Sequence, residues 1–286
     1  MMQKYEELEI EYAKFCGAKY AVTVNSGTSA LHLALLTLGI AQGDEVIMPD
    51  FTMASCGFAV SYTGATPIFV DCDDTLCIDP KLIEAKITHK TKAIMAVHIY
   101  GRLCNMKEIL RIAKKHNLKV IEDACEAQGA VYKSKANITC YSFHESKIIH
   151  AEEGGICTTD NKKYAEKIAY LKNMAFDKEH TFFHKEIGYN YRMPNSQAKL
   201  ALKSLKNYSK ENRRRKKLEK ECYGRNILDA VWVLYPIKGE YFSSIGLDGH
   251  VTRPFFKPLS SFPIYGGKCQ SPKAEYYSKL GQYIKI

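Results

Sequence analysis

The sequence contains no uninterrupted apolar run long enough to span a membrane. Nor does it open on a secretory leader, because Lys4, Glu6, Glu7 and Glu9 break up the stretch Met1–Tyr12. Together these absences point to a cytoplasmic protein. Cysteine is plentiful but unpatterned. Cys16, Cys56, Cys72, Cys77, Cys104, Cys125, Cys140, Cys157, Cys222 and Cys269 form no CxxC pair, and no histidine cluster stands at zinc spacing. Several lie inside apparent strands, where a thiol acts as a small hydrophobe, so reduced structural thiols and no metal are expected. No internal repeat or low-complexity linker is present.

What is there suits a globular α/β protein. The 286 residues are 46% hydrophobic and 25% charged, enough for one large α/β domain and a smaller appendage. The net charge is +10, and the run Arg213-Arg214-Arg215-Lys216-Lys217 invites a nucleic-acid reading. That run alternates with Glu211, Glu219, Lys220 and Glu221 at helical spacing, and no nucleic-acid-reading motif accompanies it. A solvated helix face is the expectation, with neither nucleic acid nor membrane as partner. A basic protein that handles phosphorylated small molecules fits the same charge.

Strand and helix patterns alternate along the chain. Residues 1–18 read as an amphipathic helix ending near Gly17, followed by a strand Tyr20–Val24. Asn25-Ser26-Gly27-Thr28-Ser29 opens a helix that Gly39 stops. Further strands are expected at Glu45–Met48, Thr66–Asp71, Ala93–His98, Leu118–Glu122, Cys140–Phe143 and Ile156–Thr159. Helices are expected at Met53–Tyr62, Pro80–Ile87, Met106–His116 and Lys162–Met174. A Phe- and His-rich loop (Phe176–His184) precedes a long helix capped by Asn195 and reaching about Lys220. Val231–Ile237 and Val251–Phe256 follow, then a polar tail. The alternation predicts a mainly parallel sheet covered by helices, with ligands at the strands' C-terminal ends. The domains expected are 1–205, large and α/β, and 206–286, small, with the boundary inside the long helix.

Three features carry chemistry. Strand, small polar turn and helix start at Gly27-Thr28 can point free amides at a phosphate, or can be an ordinary N-cap made by Ser26 or Thr28. Asp123 follows an apolar strand and is either a helix N-cap or a buried carboxylate paired with a cation. Lys147 stands on a turn after a strand. It is either a solvated lysine or an amine kept partly desolvated so that it can attack a carbonyl. In that order, the three meet the needs of pyridoxal phosphate: a seat for the phosphate, a carboxylate for the pyridine nitrogen and an amine for the aldehyde.

These residues lie in longer motifs: NSGTSALHLALL at 25–36, FTMAS at 51–55, YTGATPIFVD at 62–71 and KAIMAVHIYG at 92–101. VIEDACEAQGA at 120–130, YSFHESK at 141–147, EGG at 153–155, GYNYRM at 188–193 and TRPFF at 252–256 follow. Through them the chain resembles the DegT/DnrJ/EryC1/StrS sugar aminotransferases, and within these the GDP-perosamine synthase branch, from Tyr5 to Tyr208 and again around Thr252–Pro263. The resemblance implies fold type I of the pyridoxal-phosphate enzymes: a three-layer αβα domain with a mainly parallel sheet, plus a small, truncated C-terminal α/β domain.

By the same resemblance, Lys147 is the Schiff-base lysine and proton shuttle, and Asp123 partners the pyridine nitrogen. Gly27, Thr28 and Ser142 hold the phosphate, Met53 lies on the ring face, and Glu126 lies near the phenolic oxygen. Asn190 reaches the cofactor of a neighbouring subunit, which implies a homodimer with shared active sites. Tyr191, His184 and Arg253 are implied on the sugar-nucleotide side. The implied reaction passes an amino group from L-glutamate to the C4 ketone of a nucleotide-linked 4-keto-6-deoxy sugar. GDP-linked substrates are favoured by DTLCID (74–79), the Met of FTMAS and FFHKEIGYNYRM (182–193). A lysine rather than a histidine at position 147 excludes the related sugar 3-dehydratases.

The chain also departs from the pattern. Against the family pattern the N-terminal arm is expected to be missing, the loop Ser134-Lys135-Ala136-Asn137 is cut down, and Glu152 precedes the EGG motif. By the same comparison the small domain is expected to be shortened, stopping soon after Tyr283. The alternative expectation is therefore a non-catalytic homologue that keeps the fold and the dimer as a binding or scaffold subunit.

Overall fold

The computed structural model describes residues 3–177, 179, 182–226, 228–234, 252–280 and 282–285. His180, Ile237 and Val251, which belong to expected segments, lie outside them.

Helix α1 (Lys4–Cys16) buries Leu8, Tyr12, Ala13 and Cys16 on one face and ends at Gly17, whose amide closes onto Ala13 and Lys14. Strand β1 (Tyr20–Val24) then leads to α2 (Gly27–Thr37), which is capped by the Ser26 hydroxyl accepting from the Ser29 amide. The pattern continues through β2 (Glu45–Pro49), α3 (Ala54–Tyr62), β3 (Thr66–Val70) and β4 (Thr91–Val97). Helix α4 (Met106–Lys115), β5 (Lys119–Asp123), β6 (Ile138–Ser142), β7 (Gly155–Thr159) and α5 (Lys162–Lys172) complete the run.

These strands form one seven-stranded sheet in the order β1-β7-β6-β5-β4-β2-β3. β2, β3, β4, β5 and β6 pair parallel, while β7 runs antiparallel to both β6 and β1. The sheet is thus mainly parallel, as expected, with one reversed strand. Runs such as Val46-Ile47-Met48 and Ala93-Ile94-Met95-Ala96 are apolar throughout because both faces of a parallel sheet are covered. On one side α2 and α5 contribute Leu31, Leu35 and Ile168 to a core shared with Cys140 and Cys157. On the other, α1 and the long helix α6 (Asn195–Tyr223) enclose Tyr141 and Ile156 with Leu8, Tyr12, Ala198 and Leu202. Adjacent residues of β6 and β7 serve opposite faces, which is the period of two that a strand imposes. This is a helix–sheet–helix sandwich.

A second, antiparallel sheet orders β8 (Val233–Leu234), β10 (Gln282–Lys285) and β9 (Thr252–Pro254), with α7 (Pro272–Leu280) before β10. Part of the expected polar tail is therefore helix and strand.

Three local expectations are corrected. Pro80–Ile87 is two short 3-10 turns, Pro80–Leu82 and Glu84–Lys86, not one helix. Pro194, not Asn195, sits at the N-cap of α6, and the Asn195 side chain instead bonds the Lys4 amide at 3.0 Å and Gln3 at 2.6 Å. The basic run is not wholly solvated, since Arg215 and Glu219 are buried. They face the segment 228–232, whose backbone supplies partners that the run's own spacing does not reveal.

Candidate active site

β1, β2, β4, β5 and β6 all point the same way, so the residues that follow them gather along one edge of the sheet. After β1 comes Gly27-Thr28, after β2 Thr52-Met53, at the end of β5 Asp123, and at the end of β6 Ser142 with Lys147 just beyond. Together with Glu126, Trp232, Arg253, Phe256 and Tyr283 they line one cavity of about 530 Å³.

Lys147 is largely withdrawn from water. Its side chain is 11% exposed, its Nζ lies 3.7 Å from Glu126 Oε1, and the ring of Trp232 is 3.9 Å away. Glu126 in turn accepts the Tyr100 amide on Oε2 at 2.8 Å. Tyr100 is held at φ 49°, a left-handed conformation that costs a residue of its size of order 1 kcal/mol or more. Burial pushes the Glu126 carboxyl up to about 7, while Lys147 and the Tyr100 amide pull it back down. A carboxyl that titrates near neutrality beside a shielded amine can give or take a proton at physiological pH.

Asp123 is buried, but neither as a helix N-cap nor as one half of an ion pair. Its Oδ1 accepts the Cys125 amide at 3.0 Å and its Oδ2 the Cys56 thiol at 3.1 Å. No Lys or Arg among the described residues pairs with it. A buried carboxylate held by two neutral donors leaves a cationic partner to be supplied from outside the protein.

The start of α2 is built for an anion. Gly27 and Thr28 line the cavity as the first helical residues, and their amides have no acceptor among the described residues. A side chain at 27 would not fit easily, because a Cβ there would stand 2.8 Å from Ser142 Cβ and 3.2 Å from Cys125 Sγ. The Ser142 hydroxyl accepts the His144 amide at 3.2 Å and keeps its proton for another partner. Two free amides, a hydroxyl, an isolated carboxylate and a shielded amine around one cavity fit the phosphate, pyridine nitrogen and aldehyde of pyridoxal phosphate.

Met53 lines the cavity and is 50% exposed. Arg253 is also on the wall and exposed. Three anticipated residues are not part of it in this chain. Asn190 is exposed and bridges Asn173, and Tyr191 bonds His32 Nδ1 at 3.2 Å and stacks on Tyr189. His184 lines a separate hollow with Met174 and residues 185–188. His98, at the end of β4, is buried off the cavity and held down to about 4 by burial. Sequence reasoning missed Cys56, Trp232 and Tyr283. Cys56 stands one helical turn after Thr52 and could have been placed at the same edge by that spacing; nothing local marks the other two.

Among the described residues, no helix is long and apolar enough to cross a membrane, and no group of three or more His, Cys, Asp or Glu could hold a metal ion.

Residues 1–238 match the DegT/DnrJ/EryC1/StrS aminotransferase family. The GDP-perosamine synthase of Caulobacter vibrioides is 45% identical over 205 residues, which is 70% of this chain and 55% of that protein. The GDP-perosamine synthase of Escherichia coli O157:H7 is 38% identical over a 300-residue alignment, 96% of this chain and 81% of that protein. The chain thus spans little more than half of the first relative and about four fifths of the second. Among solved structures, DesV of S. venezuelae, in complex with a ketimine intermediate, superposes with a TM-score of 0.89 at 30% identity, covering 100% of this chain and 84% of that one. NtdA of Bacillus subtilis with bound cofactor PMP gives 0.87 at 29% identity, covering 100% and 73%.

Proposed function

The chain belongs to the DegT/DnrJ/EryC1/StrS aminotransferase family, and from that premise we propose that it is a pyridoxal-phosphate-dependent nucleotide-sugar aminotransferase. It takes the amino group from L-glutamate and delivers it to the C4 ketone of a nucleotide-linked 4-keto-6-deoxy sugar, with GDP as the nucleotide. The observation that carries this reading is the single cavity shared by Lys147, Glu126, Asp123 and the unpaired amides of Gly27 and Thr28.

Pyridoxal phosphate, when bound, supplies an aldehyde that exchanges amino groups and a ring that draws electrons from the reacting carbon. The protein's part is binding, shielding and proton movement. The Gly27 and Thr28 amides and the Ser142 hydroxyl would hold the phosphate at the positive end of α2. Asp123, fixed by Cys56 and Cys125, would pair with the protonated pyridine nitrogen. Met53, on the cavity wall, would lie against the ring. Lys147 carries the proton from its amine, and Glu126, 3.7 Å away, receives or returns it. Arg253 offers a guanidinium to the diphosphate of the sugar nucleotide. Asn190 is proposed to act across a homodimer interface, and Tyr191 and His184 on the sugar-nucleotide side. A cytoplasmic location belongs to the same proposal.

The test is absorbance of the purified protein with pyridoxal phosphate. A visible band that disappears in Lys147→Ala and is bleached by L-glutamate is expected, followed by amination of a GDP-linked 4-keto-6-deoxy sugar in preference to its dTDP-linked analogue. A protein that stays colourless at saturating cofactor would replace this reading with that of a non-catalytic subunit.

A further inference from the structure

The amine of Lys147 has an aromatic neighbour that its surrounding sequence does not reveal. Trp232 is 5% exposed and presents its ring to Nζ at 3.9 Å. Its own Nε1 donates to the carbonyl of Ser146, the residue before the lysine, at 2.9 Å. One indole therefore grips the backbone of the lysine turn with its edge and the amine with its face.

The placement of Trp232 is over-determined. Arg215 Nη1 donates to the carbonyls of Val231 and Trp232 at 3.2 and 3.0 Å, and its Nε is fixed by Glu211 at 2.6 Å. Glu219 accepts the Leu228 amide at 2.5 Å, and Lys216 bonds the Leu228 carbonyl. On the other side the Ala230 amide donates to Gly101 at 2.9 Å, and the Leu103 amide to Asp229 at 2.8 Å. Gly101, at φ 82°, must be glycine, because a Cβ there would lie 1.7 Å from the Ala230 carbonyl oxygen. Tyr100 stacks on the indole with centroids 6.0 Å apart, and Tyr283 lies 5.8 Å away. The basic run of α6 thus acts as a clamp on the segment that carries the indole.

We propose that Trp232 is a positioning residue for Lys147: its face holds the amine beside Glu126 until a carbonyl arrives, and shuts that flank of the cavity to water. A lysine side chain has many rotamers, and restricting it before reaction removes an entropic cost from the encounter. An indole face attracts an ammonium without offering an acceptor, so it orients the amine and still lets it go. The inference rests on the proposed function only in taking Lys147 as the reacting amine.

The test uses cofactor-free protein, so it reads the amine and not turnover. Trp232 is the only tryptophan in the chain, and its emission is expected to change in Lys147→Met, which keeps the volume and removes the charge. Acetylation of Lys147 by acetic anhydride, followed by peptide mass spectrometry with exposed Lys107 as internal standard, is expected to run roughly fivefold faster in Trp232→Leu. Trp232→Phe, which keeps an aromatic face, is expected to restore most of the wild-type rate. An unchanged Lys147 rate in a Trp232→Leu protein of native circular dichroism overturns the inference. Should that variant not fold, superimposable emission spectra of wild type and Lys147→Met overturn it equally. If labelling and emission behave as expected while no aminotransferase activity is found, the inference stands and the functional reading falls.

Discussion

The thiol of Cys56 donates to Oδ2 of Asp123 at 3.1 Å, from the first turn of α3 to the tip of β5. Burial and the nearby carboxylate push that thiol well above its ordinary range, so it stays protonated and remains a donor. With the Cys125 amide on Oδ1, the carboxylate plane is fixed before any ligand arrives.

Cys56→Ala is expected to leave a buried carboxylate oxygen without a donor, costing about 1–3 kcal/mol of stability. The urea midpoint of cofactor-free protein measures this, and a pyridoxal phosphate titration is expected to show weaker binding. Cys56→Ser keeps a donor and recovers most of both. Equal losses in the two variants would mean that volume, not the donor, matters at this position.

Gly27→Ala sets two effects against each other. Alanine improves a helical position by about 1 kcal/mol, but the added methyl meets Ser142 Cβ at 2.8 Å, an overpacking cost of about 1–3 kcal/mol. Stability is therefore expected to change little. Affinity for pyridoxal phosphate, read from its absorbance, should fall by at least about tenfold, since one charge-assisted bond is worth that much. Undiminished affinity would remove the α2 amides from the phosphate site.

The Glu126 carboxyl gives a signed pH dependence. It holds its proton to about pH 7 when folded but only to 4.5 in the reference state. Between those values the folded protein binds more protons, so this group's stabilising contribution is complete below 4.5 and is lost as pH rises through 7. Relative to Glu126→Gln, wild-type cofactor-free protein should lose about 3 kcal/mol across that window, measured by urea denaturation at a series of pH values. A difference that does not vary with pH would contradict the assignment.

Asp50 joins the end of β2 to the segment after β9. It is fully buried and accepts both the Ser260 amide at 2.7 Å and the Ser260 hydroxyl at 2.5 Å. Asp50→Ala is expected to cost about 3 kcal/mol, and Asp50→Asn roughly half as much, because the amide oxygen still serves one donor. Limited proteolysis should cut the alanine variant first beyond Thr252. Uniform destabilisation without that selectivity would argue against a local joint.

Much of the large sheet was readable because its strands are short apolar runs separated by turn residues, and β1 falls on the expected residues. The cavity was readable for the same reason: Gly27 and Lys147 follow strands, Asp123 ends one, and parallel strands share an edge. The reversal of β7 was not readable, since direction is set by the connection rather than by composition. The burial of Arg215 was hidden because its partners are carbonyls of Val231 and Trp232, and backbone acceptors carry no sequence signature. Trp232 over Lys147 is a contact between remote parts of the chain that only the folded backbone specifies.

Within the described sheet β1 has one neighbour, β7, with Tyr20 opposite Thr159 and Val24 opposite Gly155. On the ribosome β1 and the start of α2 emerge early, yet their hydrogen-bonding mate is translated only after β2 to β6 can already have zipped together. Closing so long a loop is entropically unfavourable until that late strand exists. The amides that would hold a phosphate are thus synthesised before β2 to β6 yet secured only after them, and a nascent polypeptide halted before Gly155 would carry most of a sheet but remain blind to its ligand.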